Sequence, residues 1–123
     1  MSTKYAGERR QFGKAIGEQQ AIQFYLADMA TEIFAVESAL YRAGWMCDQG
    51  LPVSRESAMV KLLASECLDR AADHAVQIHG GMGYSRDFAV ERWYRDARVN
   101  RIYEGTNEIQ RIVIARDVLK KGI

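Results

Sequence analysis

At 123 residues, the chain is long enough for one domain with a hydrophobic core and too short for two. Apolar residues make up 48% of the chain, charged residues 27%, and the formal net charge is +1. This near-neutral charge, without a basic run, argues against nucleic acid as the main partner. No apolar run reaches the length of a membrane span, so the composition indicates a soluble globular protein.

The cysteines and histidines do not have the spacing of a metal site. Cys47 and Cys67 both fall on predicted apolar helix faces, where reduced core residues are expected. His74 and His79 are too few and too isolated to bind a metal ion. The sequence therefore predicts neither a disulfide nor a metal centre.

The first half of the chain has a helical pattern. Residues 5–10 read as the last turns of a helix whose beginning is missing, and residues 11–13 as a bend in which Gly13 stops the helix. A long helix is predicted over residues 18–49, because its apolar residues alternate steps of four and three. This predicted seam consists of Ile22, Leu26, Met29, Ile33, Val36, Leu40, Ala43 and Cys47.

A second long helix is predicted over residues 55–78. Gly50 and Pro52 end the preceding helix, and Ser54 is expected to cap the new one. The short link between the two long helices makes them antiparallel neighbours. The apolar side of this helix is predicted to consist of Val60, Leu63, Cys67, Ala71, Ala75 and Ile78.

Two shorter helices complete the predicted pattern. The first covers residues 87–100 and carries Val90 and Trp93 inward, and the second covers residues 107–120, with Ile109, Ile112 and Val113 as its apolar residues. No strand-like alternation persists in the chain. The predicted fold class is all-α: one antiparallel helical bundle over residues 1–123.

The joint between the last two helices carries a carboxylate. Gly105 interrupts the helical pattern, and Thr106 supplies the side-chain oxygen that caps a helix. Glu104 therefore lies on an elbow, near the main-chain N–H groups and the positive end of the following helix. Most glutamates in loops are solvated surface groups, so spacing alone favours a structural interpretation.

Two other stretches admit both a structural and a functional interpretation. Arg9, in residues 8–13, is either a solvated charge at a helix end or a phosphate ligand. The glycines of residues 77–84 most often form a plain loop, and they do not match the dinucleotide fingerprint that follows a strand. From the residues alone, the glycine loop is interpreted as structural, and a solvated charge is the usual interpretation of Arg9.

The residues of these three stretches resemble the sequence motifs of one protein family. The segment Tyr-Glu-Gly-Thr-Asn-Glu-Ile-Gln-Arg of residues 103–111 closely resembles a signature near the C-terminus of the acyl-CoA dehydrogenases, flavoenzymes that desaturate fatty acyl thioesters. Glu-Arg-Arg-Gln-Phe-Gly of residues 8–13 and Gln-Ile-His-Gly-Gly-Met-Gly-Tyr of residues 77–84 resemble the same family, in the same order. The resemblance covers nearly the whole chain, but only the C-terminal helical part of the longer family polypeptide.

The resemblance implies roles for the residues of the elbow. Glu104 matches the base that removes the proton α to the thioester carbonyl, in a site dry enough to raise its pKa toward working pH. Gly105 would let the main chain approach the substrate closely. Thr106, Asn107 and Glu108 match residues that lie against the flavin nucleotide.

The resemblance also implies a cofactor and partners. FAD is the implied cofactor, acyl-CoA the implied substrate, and electron-transfer flavoprotein the implied electron acceptor. Contacts to FAD across a subunit boundary would make the protein a homodimer or homotetramer. The residues that match such contacts are Arg9, Gln11, Phe12, Gln20, Gln77, Gly80 and Gly81.

The family's central β-domain and N-terminal helical domain have no counterpart in these residues, and the first helix of the bundle is reduced to a stub. We therefore expect a fragment or a truncated gene product that carries the base, leaves an apolar groove open and is inactive by itself. A non-catalytic helical oligomerisation module is the alternative, as is an acyl-CoA oxidase that passes electrons to oxygen. The expected compartment is the cytoplasm of a bacterium or the mitochondrial matrix of a eukaryote.

Overall fold

Five α-helices form the chain in a computed structural model that describes residues 1–122. The helices are α1 (Ser2–Glu8), α2 (Gln20–Asp48), α3 (Ser54–His79), α4 (Val90–Val99) and α5 (Asn107–Lys121). Helix α3 packs against each of the other four helices. None of the described helices combines the length and apolar character needed to cross a membrane. The predicted all-α helical bundle is confirmed.

A small β-hairpin separates α1 from α2, where the sequence predicted only a bend. Strands β1 (Arg10–Gln11) and β2 (Lys14–Ala15) pair antiparallel and are followed by one turn of 3₁₀-helix, Ile16–Glu18. The prediction that Gly13 stops the first helix is wrong, because α1 already ends at Glu8. Gly13 instead forms the hairpin turn with Phe12, and both have positive φ angles, 83° and 53°. Two such residues in a two-residue loop are what a type I′ turn requires.

The predicted helix boundaries agree with the structure to within three residues, with local exceptions. Ser54 is the first residue of α3 and not its cap. Helix α4 begins at Val90, three residues later than predicted, because the preceding residues form a hydrogen-bonded turn. In this turn the Ser85 hydroxyl donates to Asp87 Oδ2 at 2.8 Å and accepts from the Asp87 main-chain N–H at 3.3 Å.

The core lies where α1, the 3₁₀ turn and α3 meet, and part of the predicted apolar seam remains open. Val90 is fully buried as predicted, whereas Trp93 is 43% exposed. Ile33 and Leu40 of the α2 seam are also exposed. The expected apolar groove beside the long helices is present, with a volume of about 360 Å³. Its lining includes Met1, Leu26, Met29, Ile33, Leu68 and Trp93.

The two cysteines differ in environment. Cys67 is buried in α3 as predicted, but Cys47 is exposed on the last turn of α2, so its predicted place in the core is wrong. Burial raises the pKa of the Cys67 thiol, and the nearby Glu32 carboxylate raises it further. The two thiols are therefore expected to differ in reactivity.

We expect iodoacetamide at pH 8 to modify Cys47 at least about tenfold faster than Cys67, because the thiolate is the reacting species and Cys67 is both buried and less ionised. Intact-mass spectrometry over time measures the two phases. Cys47→Ser is expected to remove the fast phase, and urea to make both thiols react quickly. Equal rates in the folded protein would contradict this assignment.

Candidate functional site

The elbow between α4 and α5 has a defined main-chain shape. Glu104 and Gly105 have φ angles of 54° and 88°, so two consecutive residues are left-handed. The Gln110 side chain donates to the Gly105 carbonyl at 3.1 Å and to the Glu104 carbonyl at 3.5 Å. Thr106 caps α5 as predicted, with its hydroxyl oxygen accepting from the Ile109 N–H at 3.4 Å. The φ of 88° favours glycine at residue 105, and a Cβ there would also displace the Gln110 side chain, whose amide nitrogen would lie 2.8 Å away.

The backbone at Glu104 is strained. A non-glycine residue in the left-handed region costs about 1–3 kcal/mol, and such residues concentrate at functional sites. Within residues 1–122, Phe12 and Glu104 are the two non-glycine residues with positive φ, and a glycine with positive φ follows each. Both are candidate site residues by their place in the sequence motifs.

The Glu104 side chain itself is exposed. The described residues therefore do not supply the dry surroundings that the sequence analysis expected for a base. Proton transfer from a carbon acid requires the carboxylate to be held against the substrate and away from bulk water. For such chemistry, substrate or another protein surface has to cover this elbow.

Asn107 lies beneath the elbow and is 1% exposed. Its side-chain oxygen accepts from Lys61 Nζ at 2.8 Å and from the Ser65 hydroxyl at 3.0 Å. The side-chain oxygen thus faces α3. Sequence reasoning missed Lys61 and Ser65, although two polar residues four apart share one face of a helix.

Glu108 follows in the first turn of α5 and is exposed. Its main-chain N–H, and secondly the Thr106 hydroxyl, lower the pKa of its carboxyl. An acidic residue in the first turn also complements the helix dipole. Helix capping therefore accounts for Glu108 without a ligand.

A groove of about 460 Å³ brings the other two motifs together. It lies between the end of α1, the hairpin, the start of α2 and the end of α3. Of the seven residues predicted to contact the nucleotide from these motifs and from α2, five line the groove: Arg9, Gln11, Phe12, Gly80 and Gly81. The other two, Gln20 and Gln77, are exposed and lie outside its lining.

The groove has the chemistry of a nucleotide site. Arg9 supplies an exposed cation that suits a phosphate, and Phe12 presents a ring that is 93% exposed. Gly80 and Gly81 leave open space where side chains would stand, so a ligand can approach their main chain. A cation, an aromatic face and a bare main chain fit the diphosphate and adenine of a dinucleotide.

His79 forms part of the groove lining, which sequence reasoning did not assign. It is 3% exposed and stacks on Tyr5 at a centroid distance of 4.1 Å. Its Nδ1 lies 2.7 Å from the Ala75 carbonyl oxygen, and since a carbonyl only accepts, Nδ1 is the donor of this hydrogen bond. His79 thereby ties the end of α3 to α1 beneath the glycines.

Replacing Thr106 by alanine is expected to destabilise the protein by about 1 kcal/mol, because the cap of α5 is lost. Urea denaturation at pH 7 measures the change, and Thr106→Ser, which keeps the hydroxyl, is the control.

The pKa of Glu108 should rise toward its ordinary value in Thr106→Ala. Because the pKa of Glu108 is lower in the folded protein than in the unfolded chain, its ionised carboxyl stabilises the folded state above the unfolded pKa. This stabilisation is lost as pH falls through the folded pKa. An unchanged Glu108 titration by NMR would contradict the capping role.

Comparison with known proteins identifies the domain type. The family described as "Acyl-CoA dehydrogenase, C-terminal domain" matches residues 1–119. The butyryl-CoA dehydrogenase of Megasphaera elsdenii superposes with a TM-score of 0.94 at 41% identity, over 96% of this chain and 31% of that one. The fold is therefore that of a helical domain found within a longer oxidoreductase.

Curated relatives extend the match at the level of sequence. The probable acyl-CoA dehydrogenase YngJ of Bacillus subtilis is 52% identical over 119 residues, which are 97% of this chain and 31% of the relative. The caffeyl-CoA reductase-Etf complex subunit CarC of Acetobacterium woodii is 48% identical over 118 residues, or 96% of this chain and 31% of the relative. The chain belongs to the acyl-CoA dehydrogenase family of FAD-dependent oxidoreductases. It spans about 31% of the length of these relatives.

Proposed function

We propose that this chain is the C-terminal domain of an FAD-dependent acyl-CoA dehydrogenase, with Glu104 as the base that removes the α-proton of an acyl-CoA thioester. The observation that carries the proposal is the elbow itself. Glu104 occupies the motif position of the family's base and has one of the two strained non-glycine backbones in the described chain. Its side chain projects from the joint, where substrate can reach it.

Each residue of the elbow has a different role in the proposed reaction. Glu104 takes the α-proton as general base, and Gly105 leaves the main chain bare beside the reacting carbons. Thr106 holds the start of α5, whose N-terminal dipole favours developing negative charge nearby. When bound, FAD would supply the acceptor for the hydride that leaves the β-carbon.

The groove is proposed to bind the adenosine diphosphate part of FAD. Arg9, Gln11 and Phe12 approach it from one side, and Gly80 and Gly81 from the other. The elbow is built by other elements, α4 and α5. One FAD molecule shared between two subunits would use the groove of one and the elbow of the other.

A homodimer or homotetramer follows from this sharing. Helix α2 also carries three large side chains at helical spacing that are more than half exposed: Phe34, Tyr41 and Trp45. Exposed apolar patches of this kind are typical of protein interfaces. A second copy of the same domain is the occupant that the shared cofactor requires.

The reaction direction and the electron partner belong to the proposal as well. CarC is named as a subunit of a reductase complex with an electron-transfer flavoprotein, which supports such a flavoprotein as the redox partner here. Reduction of an enoyl-CoA is the reverse of desaturation, and Glu104 would then return the proton to the α-carbon. An oxidase uses the same base and differs in consuming oxygen.

The experiment for the base uses a chimera in which this chain replaces the matching C-terminal segment, 31% of the chain, of the Megasphaera elsdenii dehydrogenase. Glu104→Gln should lower kcat by about 100- to 10,000-fold, because it removes the general base. Stopped-flow reduction of the flavin by butyryl-CoA measures the step. Glu37→Gln, at an exposed carboxylate on α2, is the matched control and should retain full activity.

Each result of this experiment has a defined meaning. An active chimera whose activity survives in Glu104→Gln would remove Glu104 from the mechanism. A folded, FAD-loaded chimera without turnover would favour the alternative of a non-catalytic oligomerisation module. Oxygen consumption during turnover without an added acceptor would instead assign an oxidase.

A second variant tests the groove. Arg9→Gln in the chimera should weaken FAD binding about tenfold, because a charge-assisted hydrogen bond to phosphate is lost. Arg10→Gln is the matched control, since Arg10 is exposed, outside the groove lining and bonded to the Gly13 carbonyl at 3.3 Å. Flavin fluorescence during dilution measures release. Equal effects of the two variants would refute the assigned role of Arg9.

A further inference from the structure

We propose that contacts with α3 hold both ends of the loop of residues 101–107, an arrangement that we call the clamp. In this proposal, Asn107 is the positioning residue that fixes the orientation of Glu104. The inference rests on the proposed function of Glu104 for its catalytic consequence. The clamp itself rests on the contacts that residues 101–107 and Arg111 make with α3 and with each other. It assigns a role to the Lys61–Ser65–Asn107 cluster beneath the elbow, in which Ser65 and Asn107 are buried and Lys61 is partly buried.

The first end of the loop is held by an ion pair. Arg101, which follows the C-cap residue of α4, donates through its guanidinium to Asp69 of α3 at 3.0 Å, and the pair is partly buried. The main-chain N–H of Asn107 then donates to the Arg101 carbonyl at 3.1 Å. The two ends of the loop are thus bonded to each other, and five residues form the arch between them.

The second end is held by a partly buried polar cluster. Asn107 accepts from a lysine ammonium and a hydroxyl at once, and it is almost fully buried. A hydrogen bond to a charged group is stronger than a neutral one, and its loss would leave Lys61 and Ser65 without a buried partner. One turn later, Arg111 of α5 pairs with Glu66 of α3 and also reaches the Asn107 carbonyl at 3.5 Å. These contacts fix the start of α5 in both position and rotation.

The clamp matters because the arch is strained. A left-handed Glu104 is disfavoured in a free loop and persists only where the surroundings determine it. With both ends of a five-residue arch fixed on one helix, few other main-chain paths connect them. Displacement of a reacting group by about 1 Å can cost about 100-fold in rate, so small relaxation of the arch is sufficient to impair the base.

The first test uses NMR of the 123-residue chain. A strong amide–Hα NOE within Glu104 reports its positive φ, and slow exchange of the Asn107 amide reports the bond to Arg101. Both signals are expected in the unmodified chain and in Asn107→Asp, whose carboxylate keeps two acceptors for Lys61 and Ser65. Both should be lost in Asn107→Leu, which has a similar volume and no acceptor. Ser65→Ala, which removes one hydrogen-bond donor to Asn107, should speed the exchange of the Asn107 amide. This variant replaces Asn107→Leu in the test if Asn107→Leu does not fold.

The second test uses the chimera. Asn107→Leu should lower kcat about 10- to 100-fold, with KM and FAD content within about twofold of the parent, because the base moves while the binding surfaces remain. Asn107→Asp should restore kcat to within about threefold. Glu32→Gln is the control, because it breaks the α2–α3 ion pair with Arg70 at 2.7 Å without touching the loop.

The outcomes separate the clamp from the proposed function. Unchanged kcat and NMR signals in Asn107→Leu would overturn the clamp, as would equal kcat losses in Glu32→Gln and Asn107→Leu. An inactive parent chimera would instead refute the proposed function. The clamp would then stand or fall on the NMR signals of the chain itself.

Discussion

The packing of α3 against every other helix is the constraint on which the rest of the structure depends. Its middle turns, at Lys61, Ser65 and Asp69, hold the elbow between α4 and α5. Its last residue, His79, and the following Gly80 line the groove beside the hairpin. Both candidate functional regions therefore contact the same helix, α3, and this contact favours a fixed geometry in each region.

The two regions also share a backbone device. In both the Phe12–Gly13 pair and the Glu104–Gly105 pair, a candidate site residue with a left-handed backbone precedes a left-handed glycine. Such a pair turns the chain sharply and presents the first side chain outward. Phe12 and Glu104 are therefore exposed to solvent and do not contribute to the core. Exposed side chains of this kind are available to contact a ligand or another subunit.

Much of the fold could be predicted because its signals are local. The long helices followed from apolar spacing, and the Thr106 cap followed from a side chain next to its own helix. The prediction failed where distant or competing local contacts decide the outcome. Cys47 has the spacing of a core residue but no helix covers it, and the Ser85–Asp87 turn delays α4. The hairpin was missed because two-residue strands are too short to show alternation.

The sequence by itself determined the class of fold, the positions of the turns and the family to which the motifs point, because helix periodicity, glycine and capping residues act over a few neighbours. Only the tertiary structure decided that Arg9 and Gly81 share one groove, that Glu104 is exposed, and that Asn107 faces α3. These outcomes depend on which helix faces meet, and residues more than forty positions apart, such as Ser65 and Asn107, carry no local signal of their contact.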